Sequence, residues 1–444
     1  MRRWMVVLAG SLALAACTTP GASSPAPSSS STGAVSTDVS GLPATTLSVW
    51  TSESGSRLDL LKARGEAFTA AHPNIKVAWT VRDFGAYPAQ IKLALTSDDG
   101  PDVCIGNLGW SLDGPLIKAG LLRPMDDYAA AYKWTDRYPA VGLRQLKFTA
   151  DGKKYGEGSI YGTPYAADVI GWFYNKDLLA KTGKQLPTTM AELDDVLAAS
   201  KAAGQQPIVF GEKDGWPGWH LAYNLIDQYA SAKEVSGIVY DDAGASYENP
   251  AIARALQTMV EWKKKGYIRA DVNSIAQADV SAGFPKGEGL FFPAGSWEAA
   301  NMGPNFGFFL TPPVEKGTPP RATGSFGYSF HVSSRSTKVP ASAAFLDFMA
   351  NEDTAKAFFA GGDIAPIAVK DPQLKSGDVF KDIYTSWTDV LESDGLLPYL
   401  EFATPTAGEV LYPQLQEVLE GRTQVADALK AMETDRQTFT ASNK

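Results

Sequence analysis

Only three histidines and two cysteines occur in the 444 residues, and each shortage closes off a chemistry. His72, His220 and His331 give little from which to build a Ser–His–Asp relay or a histidine-rich metal centre. His72 precedes Pro73 at the end of a helical pattern and His331 falls in a strand pattern, so both read as structural. His220, beside Trp219 in an aromatic stretch, is the histidine that could meet a ligand. The sequence also lacks G-x-S-x-G, a P-loop, G-x-G-x-x-G, H-E-x-x-H and C-x-x-C. No metal or cofactor is therefore expected. Basic residues are outnumbered, 40 against 49 acidic ones, for a formal charge of −9, which argues against a polyanionic partner such as nucleic acid. No apolar run reaches the roughly 20 residues of a membrane span.

The longest apolar run follows Met1-Arg2-Arg3 and leads to Leu14-Ala15-Ala16-Cys17. A basic start, a short apolar core and small residues before a cut describe a secretory signal. The cysteine directly after Leu-Ala-Ala resembles the lipobox of bacterial lipoproteins. That resemblance implies removal of residues 1–16 and lipidation of Cys17. Loss of Arg2 and Arg3 then takes the charge from −9 to −11. Residues 18–46 are mostly Ser, Thr, Ala, Pro and Gly, with Asp38 the only charge. Such a composition cannot offset its ordering entropy, so 17–46 is expected to be a disordered tether with a reach on the order of 30 Å. The folded body should begin near Leu47. With Cys17 lipidated, Cys104 has no partner and reads as a small buried hydrophobe.

The body, about 400 residues, is too long for one core of usual size. Strand patterns over 47–50, 75–81 and 102–105 alternate with helical ones over 57–71, 87–95 and 113–119, which argues for an α/β lobe with a largely parallel sheet. The pattern restarts with an apolar strand over 169–174, a helix opened by Thr188 or Thr189, and a strand over 208–211. Further strands are expected over 289–292 and 327–332, and helices over 221–229, 251–265, 341–351, 354–360, 408–420 and 425–440. Eleven Trp, 17 Tyr and 20 Phe exceed ordinary core needs and hint at a site for flat apolar faces.

Several stretches, in order, resemble one family. The densest are Tyr161-Gly162-Thr163-Pro164-Tyr165, Phe173-Tyr174-Asn175-Lys176-Asp177-Leu178-Leu179 and Pro187-Thr188-Thr189. Pro101-Asp102-Val103, Ala119-Gly120-Leu121-Leu122-Arg123-Pro124-Met125-Asp126 and Lys286-Gly287-Glu288 leading to Gly295-Ser296-Trp297 support them. Together they resemble family 1 of the extracellular solute-binding proteins of ABC transporters, the maltose-type carbohydrate binders. The resemblance implies a two-lobe periplasmic-binding-protein-like fold, with doubly wound lobes joined by hinge strands. Lobe 1 would be 47–165 plus 325–370, and lobe 2 166–324 plus 371–444. It also implies a monomer that captures a mono- or oligosaccharide between the lobes and delivers it to a membrane permease, without catalysis.

A sugar offers hydroxyls around a ring and C–H faces above and below, so acids, amides and aromatics at strand ends are the candidates. Asp168 lies where maltose-type binders carry a ligand-contacting Glu, and Trp297 where they place a stacking Trp. Trp216 and Trp219, in Gly215-Trp216-Pro217-Gly218-Trp219, read as loop aromatics. Trp110 and Asn107 follow the strand of Cys104, and Thr51, Ser52 and Glu53 follow the first strand. Phe84, Tyr87, Phe326 and Asp363 complete the set. Trp50, Trp79, Trp172 and Trp262 read as core. The alternative is an extracellular carbohydrate-active hydrolase in which Asp168 and Glu53 form the carboxyl pair such chemistry needs.

Overall fold

The apolar run over 169–174 is the inner half of a much longer strand. In the computed structural model, which describes residues 35–369, 372, 374 and 377–443, this strand runs over Gly162–Asn175 and is buried along its entire length. The strands in chain order are β1 (Thr45–Thr51), β2 (Ile75–Val81), β3 (Val103–Ile105), β4 (Lys147–Phe148), β5 (Ser159–Ile160), β6 (Gly162–Asn175), β7 (Phe291–Gly295), β8 (Phe306–Phe309), β9 (Ala322–Val332) and β10 (Leu396–Leu397). One sheet has the order β2-β1-β3-β9-β6-β7, with β10 beside β9 and β8 beside β6, while β4 and β5 pair separately.

β1 lies parallel to β2 and β3. β9 runs antiparallel to both β3 and β6, and β7 and β8 run antiparallel to β6. The three strands from which a parallel sheet is expected are indeed parallel, and the sheet as a whole is mixed because β9 returns from the second half of the molecule against the direction of its neighbours. β6 changes partner along its length. Through Val169 it pairs with β9; from Ile170 it pairs with β7 and β8. This single strand ties the two halves together. Aromatic contacts fill both halves: Phe68 and Phe330 sit edge-on to Phe345 at 5.4 Å, and Phe173 sits edge-on to Phe308 at 5.1 Å.

Local sequence accounts for the helices that place the site. Thr189 caps Met190–Ala202 by accepting from the Glu192 amide at 3.2 Å. Ser231 and Glu234 form a complete capping box ahead of Ala232–Val239, a helix that the sequence reading passes over although Ser-x-x-Glu announces it. The stretch read as an aromatic loop at 215–219 is instead the start of the helix Pro217–Tyr229. Proline suits the first helical turn, whose amides have no intrahelical acceptor.

One boundary is corrected. Cys17 and the tether up to residue 34 lie outside the described residues, but residues 35–46 are packed on the body. Val39 is 1% exposed, and the Asn74 side-chain amide donates to the carbonyls of Val39 and Leu42 at 2.8 and 3.1 Å. One apolar side chain with a seat and one amide that satisfies two carbonyls outweigh the polar composition. At the other end, the helix Val425–Asn443 reaches back to the first half. Phe439 packs edge-on to Trp110 at 4.7 Å, and Asn443 donates to the Lys153 carbonyl at 2.6 Å.

Cys104 is buried in β3 with a free thiol, and burial together with Asp113 pushes that thiol up. Among the described residues no helix is long and apolar enough to cross a membrane.

Candidate functional site

β1 ends at Thr51, whose hydroxyl accepts from the Glu53 amide at 3.1 Å and so turns Glu53 toward the helix Gly55–Ala71. Arg57 sits one helical turn beyond Glu53. Its Nη1 is 3.8 Å from Glu53 Oε1. Its Nε donates to Asp363 Oδ2 at 3.1 Å while Nη2 donates to Oδ1, a two-point clamp on a carboxylate. Arg57 also lies 4.1 Å from the centre of the Tyr328 ring, and the Tyr165 hydroxyl donates to Glu53 Oε1 at 2.7 Å. Glu53 and Asp363, two of the predicted acids, are therefore brought together by an arginine that the sequence reading does not single out. Burial pushes the Glu53 carboxyl up, against the pull of Arg57 and Tyr165.

Asp168 lies in β6 opposite Ser325 of β9, where the register shifts between Pro164 and Ala166 and again between Ala166 and Asp168. Such irregularities re-aim side chains. Asp168 is 3% exposed. Its Oδ2 accepts from Ser325 Oγ at 2.7 Å and its Oδ1 from the Tyr399 hydroxyl. Burial pushes its carboxyl up to about 6, against these two hydrogen bonds. Glu401, two residues past Tyr399, accepts from the Tyr223 hydroxyl, and burial pushes it up to about 7. The Tyr223 and Tyr399 rings meet edge-on at 5.5 Å. Tyr165, Tyr223, Tyr328, Tyr399 and Glu401 carry no local motif, and only the fold assembles them.

The second half contributes a helical stripe and a strand end. Trp216, His220 and Tyr223 are spaced i, i+4, i+7 and so share one face of the helix. Ser296, just past β7, accepts through Oγ from the Val169 amide at 3.3 Å, which places Trp297 beside the strand of Asp168. Trp297 meets His220 edge-on at 5.4 Å, and Trp216 meets it in a tilted arrangement at 5.1 Å. Both tryptophans are half-buried.

Four of the expected contacts lie in core positions. Trp219 is 1% exposed, and its indole N–H donates to the Leu411 carbonyl at 3.0 Å, because it points away from the stripe that carries Trp216 and His220. Trp110 is buried edge-on against Phe148 and Phe439. Phe326 is 1% exposed and packs on Trp387 at 5.2 Å, since adjacent residues of a strand face opposite sides and Ser325 takes the side of Asp168. Tyr87 is also core, its hydroxyl donating to the Ile105 carbonyl at 2.9 Å. Ser52 and Asn107 are half-buried at the ends of β1 and β3. Phe84 is 67% exposed, three residues past the end of β2. Trp50 and Trp79 pack against the core, and Trp172 and Trp262 lie in it, as the sequence suggests.

A Ser–His–Asp grouping does occur, but not as a relay. His331 is 1% exposed. Its Nε2 faces both Ser329 Oγ at 2.8 Å and Asp113 Oδ2 at 3.2 Å, while Nδ1 faces the Tyr161 carbonyl at 3.1 Å. Serine and aspartate thus share one nitrogen, whereas a relay needs one on each. Burial opposes the imidazolium, yet Asp113 and the Tyr161 carbonyl raise its pKa overall, so the group is a structural clasp. Among the described residues, no cluster of three His, Cys, Asp or Glu side chains is arranged to hold a metal ion.

A sheet in two halves tied by β6, with acids and aromatics gathered where that strand changes partner, is the layout of a two-lobe binding protein. Residues 53–356 match the bacterial extracellular solute-binding proteins, and the chain belongs to that family. It is 26% identical over 333 residues to the maltodextrin-binding protein MdxE of Bacillus subtilis, covering 70% of this chain and 72% of the relative. Among solved structures it is similar to a chitin oligosaccharide binding protein, with a TM-score of 0.77 and 21% identity over 90% of this chain and 99% of the other. It is also similar to the maltose-bound MalE3 of T. maritima, with a TM-score of 0.70 and 19% identity over 88% and 99%. These likenesses establish the two-lobe α/β fold.

Proposed function

We propose that this chain captures a carbohydrate in the cleft between its lobes and delivers it to the permease of an ABC importer. The observation that carries this reading is the convergence, around the midpoint of β6, of four carboxylates with exposed aromatic edges. Glu53 and Asp363 share Arg57, Asp168 holds Tyr399, Glu401 holds Tyr223, and Trp216 and Trp297 stand half-exposed beside them. Carboxylates accept sugar hydroxyls through strong, directional hydrogen bonds, and large rigid rings cover the C–H faces. The maltodextrin, chitin oligosaccharide and maltose named for similar proteins support a saccharide ligand. In this reading Asp168 acts as ligand contact and as anchor of Tyr399, and the lobes hinge where β6 changes partner. The protein works as a monomer, held at the outer face of the membrane through lipidated Cys17. Accordingly, Cys17→Ala is expected to move it from the membrane fraction to the medium, and retention at the membrane would refute the anchor.

Binding is favoured over hydrolysis because both oxygens of Asp168 already hold protein hydroxyls and Glu53 holds that of Tyr165. These carboxylates are set to accept hydrogen bonds in place. A thermal-shift screen over mono-, di- and trisaccharides tests the reading. The right sugar at a hundred times its Kd adds about 2.7 kcal/mol of stability and is recovered intact by chromatography. No shift with any saccharide, or steady cleavage of the one that binds, would overturn it.

A further inference from the structure

His220 carries a buried ring nitrogen that no described group of the protein answers. It is 5% exposed, and its Nδ1 is buried with no hydrogen-bond partner among the described residues. Three polar side chains close to it on the same helix are paired. Trp219 donates to the Leu411 carbonyl at 3.0 Å, Tyr223 donates to Glu401, and Asn224 donates to the Gly171 carbonyl at 3.2 Å and accepts from Thr311 Oγ1 at 2.8 Å. Buried polar groups are nearly always hydrogen-bonded, and an exception calls for a reason. Here the surroundings suggest one. The imidazole touches both Trp216 and Trp297, and both of these tryptophans are half-exposed. Burial pushes its pKa down to about 3, so across the physiological range it is a neutral ring with one donor and one acceptor nitrogen.

We propose that His220 is a specificity-determining residue: its imidazole pairs with a hydroxyl of a saccharide seated against Trp216 and Trp297, which shift to admit it. This rests on the carbohydrate reading above. A site built to pair with a hydroxyl discriminates strongly against ligands lacking one there, because its own buried polar atom is then left unpaired. A hydrophobic slot between two indoles would discriminate far less. The same logic makes His220 a residue retained for function at some expense of stability, since an apolar ring in its place removes the unpaired atom.

The test compares the wild-type chain with His220→Phe and His220→Gln, each titrated calorimetrically with maltotriose, raffinose, triacetylchitotriose and xylotriose. For His220→Phe, the saccharide that binds wild type best is expected to bind at least tenfold more weakly. The spread of affinities across the panel should narrow, and Tm should be unchanged or higher. His220→Gln, which keeps a donor and an acceptor, should recover most of the affinity. Unchanged affinities and ranking in His220→Phe would overturn the proposal, and so would a marked fall in its Tm with the ranking intact, which would make His220 a packing residue only. If wild type binds no member of the panel, the carbohydrate reading itself fails, an outcome distinct from an indifferent variant.

Discussion

Trp297→Ala is expected to weaken saccharide binding by at least about 30-fold, about 2 kcal/mol, the scale of an aromatic anchor in a contact surface. The side chain is half-buried at the end of β7 and touches His220 by its edge. Removing it therefore strips a stacking face from the cleft and leaves little cavity in the core. Trp219→Ala should do the opposite. That ring is fully enclosed, with its N–H on Leu411, and truncation should lower stability by about 3–5 kcal/mol with a smaller direct effect on the ligand. Calorimetric titration and thermal melts on the two variants separate these roles. Equal losses of affinity would remove the distinction between the ligand-facing and the core tryptophan.

Arg57→Met is expected to cost about 3–5 kcal/mol of stability, the usual penalty for removing one partner of a buried ion pair. Arg57 is 8% exposed, and without it Asp363 and Glu53 face each other with no cation between them. The sign of the pH dependence follows. Glu53 is already pushed up by burial while Arg57 pulls it down, so loss of Arg57 raises it further. A carboxyl with a folded pKa above its unfolded value favours the folded state below that pKa and disfavours it as pH rises through it. The deficit of Arg57→Met relative to wild type should therefore grow between pH 5 and pH 8. Adding Asp363→Leu should restore part of the loss, since one of the stranded charges goes with it. Denaturant melts at the two pH values check this, and a deficit that shrinks with rising pH would contradict it.

These residues also mark where the sequence stops being readable. Local signals did well: the alternation over Ile75–Val81 gives β2 to the residue, and the Thr189 cap is where the helix Met190–Ala202 starts. The family motifs set Asp168 ahead of a strand and Trp297 in a loop after one; the structure has Asp168 within β6 and Trp297 in a helical turn just past β7. What failed was of two kinds. Some local signals pointed both ways: glycine and proline around Trp216 read as a loop, although proline also opens helices, and the error carried Trp219 into the site and out of the core. The other kind was non-local. Arg57 meets Asp363 across 306 residues, and Tyr399 meets Asp168 across 231, distances over which no periodicity speaks. Arg57 did have a local hint, four residues after Glu53 on a predicted helix, but only the closing of the sheet gives that pair its second acid. Val39 shows the same limit in reverse, since composition alone cannot reveal that one valine in a polar stretch has a seat.

The central claim is where the ligand sits. A crystal structure of the chain with the saccharide that gives the largest thermal shift tests it most directly. The account predicts density for an intact sugar at the midpoint of β6, its hydroxyls on Glu53, Asp168 or Glu401 and a ring face on Trp297 or Trp216. A sugar bound elsewhere on the surface, with these side chains untouched, would contradict it.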